Sequence, residues 1–291
     1  MRTMIGEPRV VEAGRGAAWW GEGWHIFAAK VGTWIGIMVI YILISALISA
    51  VPFVGSVGHW LLTPVFMGGL MLGCQAIERN EALRIGHLFE GFQGPHFVPL
   101  MIIGAVNMGL ALAIALIGAA GVWGSMSIAT MGMAMDPLDA LQGSVRAMTG
   151  FGLLAFVLVL VIVAVFAMLN WFAPALVVLR GATAVEAMKL SFLSCLRNWV
   201  PFLVYGAIGI GIVFGAFIVV GGVVLIAGAG AFANSVSGSG VMAFIGLMIL
   251  IFAIIVVLAL IVGPIVFGST YAGYKDTLAS DDVALGNPAY Q

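Results

Sequence analysis

Met131, Met133 and Met135 stand at alternate positions in the stretch MGMAM, flanked at a distance by Met126 and Met148. Thioethers are soft ligands suited to Cu(I). Alternate side chains of an extended chain point the same way, so these three sulfurs can converge, and His59 is expected on the same side of the membrane. Methionine is also a plain apolar filler, and the whole segment 122–150 can equally rest on a bilayer surface. No other metal chemistry is spelled out. Cys74 and Cys195 are too few for a cysteine-only zinc site and read as small apolar fillers. His25, His59, His87 and His96 lack HExxH spacing and read as interface residues.

Nucleophilic and nucleotide chemistry have no motif here: there is no GxSxG, no Walker A and no GxGxxG. The apolar runs hold no Asp, Glu, Lys or Arg away from their ends, which counts against transport coupled to protons or sodium. Asn107 and Asn170 are the polar residues placed deep in such runs. They read either as the lining of a substrate path or as hydrogen-bonding glue between helices. No catalytic residue and no cofactor is expected.

The elements that position these residues follow from composition. Of 291 residues, 63% are hydrophobic and 8% charged. Globular domains are nearer 45–50% apolar and about 25% charged. Such a chain cannot cover its apolar surface in water, so its solvent is lipid. The net charge of −1 excludes a basic face for nucleic acid. A membrane-crossing helix needs about 20 apolar residues, and six runs qualify: 32–54, 58–78, 98–121, 151–179, 201–228 and 241–268. Period-two alternation is absent, which argues against a β-barrel. The first run reads as an uncleaved signal anchor. With the N-terminus in the cytoplasm, ten of eleven basic residues fall inside and Arg146 falls outside. That bias predicts an even number of spans with both termini cytoplasmic.

Three segments between the runs are too polar to span. In 180–199, Val185, Met188, Phe192, Cys195, Leu196 and Trp199 form an apolar helical stripe, opposite Glu186, Lys189 and Arg197. In 79–97 the stripe is Ile85, Leu88, Phe89 and Phe92; in 15–34 it is Trp20, Trp24, Phe27 and Val31. Each reads as a helix lying in the interface. Trp34, Phe97 and Trp199 close these segments, and Pro64, Pro174 and Pro264 sit in the returning spans as kinks. The predicted fold is therefore all-α: a polytopic membrane protein with six transmembrane helices in three hairpin units, each preceded by a cytoplasmic interfacial amphipathic helix. Residues 15–276 form the membrane domain, with 1–14 and 277–291 as disordered tails. The units are expected to be parallel repeats. Gly32/Gly36, Gly69/Gly73 and Gly211/Gly215 are GxxxG pairs for internal packing or for a homo-oligomer face. Residues 122–150 and 227–240 read as outer loops, with Asp136-Pro137 opening a short helix.

The stretches GWHIF, PFVG (52–55), GCQAIERNEALRIGHLFEGF (73–92), APALVVLRGATAVEAMKLSFLSCLRNWVPFL (173–203) and GPIVFGSTYAGYKD (263–276) resemble uncharacterised six-span bacterial inner-membrane proteins. More distantly, the chain is similar to the membrane domain fused to some bacterial glycerophosphodiester phosphodiesterases. The resemblance covers about 20–276 and implies fold and location without catalytic residues. A non-enzymatic scaffold, assembly or lipid-organising protein is expected, with membrane lipids and a second copy or another membrane protein as partners. A permease for a small solute or lipid, with a path between the repeats, is the alternative.

Overall fold

The computed structural model describes residues 7–52, 54–132, 137–233 and 239–279. These are helical almost throughout. Helices α1 (Arg15–Ala29), α2 (Val31–Ser49) and α3 (Val54–Glu78) precede two 3₁₀ turns, Ile85–Phe92 and Gly94–His96. Then follow α4 (Phe97–Gly132), α5 (Pro137–Asn170), α6 (Ala173–Arg180), α7 (Ala184–Arg197), α8 (Trp199–Ala233) and α9 (Ser239–Leu278). Six stretches are long and apolar enough to cross a membrane: Val31–Ser49, Val57–Glu78, Gly94–Gly121, Leu153–Arg180, Trp199–Leu225 and Ile245–Leu278.

The polar segments differ in extent from the helices expected there, and only part of each apolar stripe packs against the protein. α1 stops at Lys30 instead of running to 34, and it buries Gly16, Trp19, Gly23 and Phe27 against α9 and α8. Of its expected apolar stripe, Phe27 is buried in the protein while Trp24 and Val31 are exposed. A Cβ at Gly16 would overlap the Pro201 carbonyl oxygen, and one at Gly23 would overlap that of Ile265. Backbone approach through glycine, not bulk hydrophobicity, chooses the face. In α7 the buried residues are Ala184, Ala187, Met188, Ser191, Ser194 and Cys195, while Val185 and Leu196 are exposed. Trp199 belongs to α8 and is 59% exposed. α7 starts with Thr183, whose Oγ1 accepts from the Glu186 amide.

Residues 79–96 are not α-helical. The chain turns at Asn80 (φ 58°) and continues as the 3₁₀ turn from Ile85, with Leu88 and Gly91 buried against α3. At three residues per turn, 88 and 91 share a face and Phe89 falls off it; Phe89 is exposed, and so is Ile85 at the start of the turn. The fourth apolar run is likewise two helices. α5 ends at Asn170, and Pro174 sits in the first turn of α6, where a missing N–H costs nothing, rather than kinking a continuous span. Pro64 and Pro264 do lie inside α3 and α9.

The expected outer loops are mostly helix. α4 runs to Gly132 and α5 starts at Pro137, so the helix predicted there is long; α8 runs to Ala233 and α9 starts at Ser239. Residues 7–14 are fastened to the body, and Thr277, Leu278 and Ala279 are buried. The Arg9 amide donates to the Thr277 carbonyl at 2.8 Å, so the two described chain ends meet at one end of the bundle.

The core sits at that terminal end. Trp34, Ile37, Leu70, Cys74, Leu88, Phe172 and Leu176 are buried there in one cluster. Away from it, α4 packs along α5 and α8 along α9, and their remaining faces stay open. Among the GxxxG pairs, Gly69/Gly73 packs against the 83–88 segment, whereas Gly32, Gly211 and Gly215 face open space.

Candidate functional site at the terminal end of the bundle

Three polar knots hold the terminal end together. The first closes the break between α5 and α6. Backbone groups freed inside a membrane segment must find partners within the protein, and Ser191 of α7 supplies both. Its hydroxyl donates to the Met168 carbonyl at 2.7 Å and accepts from the Phe172 amide at 3.0 Å. Burial in the same contact pushes the Cys195 thiol up to about 12, so it is held as a thiol.

The second knot is Asn198, between α7 and α8. Its Oδ1 accepts from the Val11 amide at 2.8 Å, and its Nδ2 donates to the Arg9 carbonyl at 2.8 Å and the Ser194 carbonyl at 2.9 Å. Beside it, Arg197 pairs with Glu7 at 2.9 Å. One buried amide thus pins the N-terminal segment to the body.

The third knot is ionic and lies where α1, α3 and α9 meet. Arg15 bonds Asp276 at 2.5 Å and Glu22 at 2.6 Å. Trp19 Nε1 donates to the same Asp276 oxygen at 2.7 Å. The Asp276 hydrogen bond raises the Arg15 pKa further, against the opposing effect of burial. Lys275 and the Tyr271 hydroxyl both donate to Glu78. Next to these pairs opens a cavity of about 220 Å³ lined by Glu22, His25, Ile26, Glu78, Tyr271, Ala272 and Lys275.

An aromatic floor joins α1, the α5–α6 break and α8. Trp171 meets Phe202 and Tyr205 edge-on at 5.7 and 5.6 Å, and Trp20 stacks on Tyr205 at 4.8 Å. The Tyr205 hydroxyl lies 2.7 Å from Ser269 Oγ, which itself donates to the Val266 carbonyl.

The residues singled out from the sequence fare unevenly. Trp34 is fully buried and donates to the Ile26 carbonyl at 3.1 Å, covering the end of α1. Phe97 stacks on Phe92 at 6.0 Å. Asn170 Nδ2 donates to Phe166 of its own helix rather than across helices. The Oδ1 atoms of Asn107 and Asn170 are buried without a protein partner, as are Arg180 Nη2 and Ser194 Oγ. Neither asparagine lines the cavity above or the smaller one between Tyr41, Ser45, His59 and Thr63. Met133 and Met135 lie outside the described residues; Met131 is in the last turn of α4, with its side chain outside them as well. Among the described residues no group of three or more His, Cys, Asp or Glu is placed to hold a metal ion.

The sequence-based expectations missed Ser191, Asn198, Trp19 and Asp276. Asn198 carried a signal, since a polar residue directly before Trp-Val-Pro marks a helix junction. Ser191 carried none.

The chain is 28% identical over 214 residues to a probable inner membrane protein of Burkholderia thailandensis, an alignment covering 70% of this chain and 77% of that one. No family model and no solved structure matches. Together with the six apolar helices, the similarity makes this chain a multipass inner-membrane protein.

Proposed function

We propose that this is a non-enzymatic, lipid-organising protein of the inner membrane, with its terminal end in the cytoplasm. One observation carries the reading: a bonded, close-packed terminal end bears long apolar helices whose outer faces stay open. Phe156, Val161, Phe214, Phe217, Ile218 and Phe252 are all exposed. Within a bilayer such faces take acyl chains. At the terminal end Lys30, Arg79, Arg84 and Lys189 are exposed without an ion-pair partner among the described residues, suited to anionic head groups.

A threefold unit structure fits this role. Each polar segment packs on the return span of the unit before it: the 3₁₀ turn on α3, α7 on α5 and α6, and α1 on α9, which closes the ring. Gly91 lies against the Val65 carbonyl and Gly23 against the Ile265 carbonyl, in each case the residue after the span's proline. A cytoplasmic ring that fixes three pairs of spans is a platform for lipids or for a second membrane protein.

The alternative permease needs a wet path between the repeats. The packed centre, with Leu70, Cys74 and Leu176 fully buried, supports the platform instead. The test is native mass spectrometry of the protein extracted with its own lipids. Retained phospholipid at fixed stoichiometry is expected; a bound solute without lipid would favour the permease, and neither would count against both.

A further inference from the structure

The cavity beside the ionic knot lies at the height of lipid head groups. Glu78 ends the apolar stretch of α3, and Tyr271 and Lys275 lie near the end of that of α9. Its charges are mixed. Glu22 and Glu78 contribute two carboxylates, the first paired with Arg15 and the second with Lys275, and His25 also lines the cavity. A simple anion there would meet both carboxylates, and a simple cation would meet Lys275. A ligand bearing both charges meets both kinds of group.

Resting on the lipid reading above, we infer that this cavity binds the head group of an aminophospholipid: its primary ammonium between Glu22 and Glu78, its phosphate toward His25 and Lys275. The ammonium then replaces water with charge-assisted hydrogen bonds to two carboxylates already oriented by Arg15 and by Tyr271. The exposed Trp24, next to His25 on α1, offers an indole at the interface where such rings favour head-group depth. The same chemistry exists in a water-soluble form, phosphoethanolamine, so the lipid and the soluble compound are separate arms of the test.

The full-length protein in detergent is titrated with phosphatidylethanolamine or phosphatidylglycerol of identical acyl chains and read by native mass spectrometry. Phosphatidylethanolamine is expected to be retained about tenfold better, the worth of a charge-assisted hydrogen bond. Glu22→Gln and His25→Ala, both at partly or fully exposed positions, are expected to erase most of that preference while leaving the helical circular-dichroism spectrum unchanged. Binding of phosphoethanolamine without a lipid preference would keep the ammonium–phosphate chemistry and overturn the lipid source. Equal retention of both lipids with no phosphoethanolamine binding, or a preference untouched in both variants, overturns the inference. A protein that holds no lipid of any kind removes the lipid-organising function itself; lipid held without head-group preference removes only this site.

Discussion

The hydroxyl of Ser191 and the amide of Phe172 lie 3.0 Å apart, nineteen residues apart in sequence, and that contact repairs the chain where α5 gives way to α6. The same oxygen donates to Met168. Ser191→Ala would leave the Phe172 amide without a partner in a fully buried place, and the Met168 carbonyl with only the weak Cys195 thiol at 3.8 Å. An unsatisfied buried group costs about 1–3 kcal/mol, so thermal unfolding in detergent should shift to lower temperature. An unchanged midpoint would show that the break does not depend on Ser191.

Glycine substitutions separate packed faces from lipid-facing ones. Gly16→Ala and Gly23→Ala drive a methyl into the Pro201 and Ile265 carbonyls, and overpacking of this kind costs about 1–3 kcal/mol. Gly32→Ala and Gly215→Ala meet open space and should leave stability unchanged or slightly raised, since alanine favours helix by up to about 1 kcal/mol. Chemical unfolding of the four variants reads the contrast. Equal effects in all four would refute the docking of α1 through its glycines.

Both cysteines should be silent to maleimide in the folded protein. Cys74 and Cys195 are buried, and burial pushes Cys195 up to about 12. The thiolate is the nucleophile, and a raised pKa means the thiol form persists through neutral and mildly alkaline pH. Labelling is expected only after unfolding. Rapid modification at pH 7 would mean that the contact between α7 and α5 opens.

That silence makes introduced cysteines useful for topology. Thr130→Cys and Ser235→Cys are expected to react with a membrane-impermeant maleimide added outside spheroplasts, placing the terminal end in the cytoplasm. Labelling only after lysis would reverse the orientation.

The ionic knot predicts a small, salt-sensitive effect. Asp276→Asn keeps an acceptor for Trp19 and removes the charge facing Arg15. Because Arg15 is partly exposed, the loss should be at most about 1 kcal/mol, shrinking further at high salt. Asp276→Leu, which also strands the Trp19 N–H, should cost more. Unfolding midpoints at two ionic strengths compare the pair.

What the amino-acid sequence determined by itself was the solvent and the number of crossings. Hydropathy sums over a window of about twenty residues, so six apolar runs are legible without any tertiary contact. The faces were another matter. In water an apolar stripe marks the buried side, but lipid tails are as apolar as leucine, so Val185, Leu196 and Trp24 gain nothing by turning inward. Helices meet instead where backbones approach closely, at Gly16, Gly23 and Gly91, or where a polar atom has a partner, as at Ser191 and Asn198. Across elements those partners lie 19 to 242 residues away along the chain. Only the assembled fold brings them together, and with them the cavity between Glu22, Glu78 and Lys275.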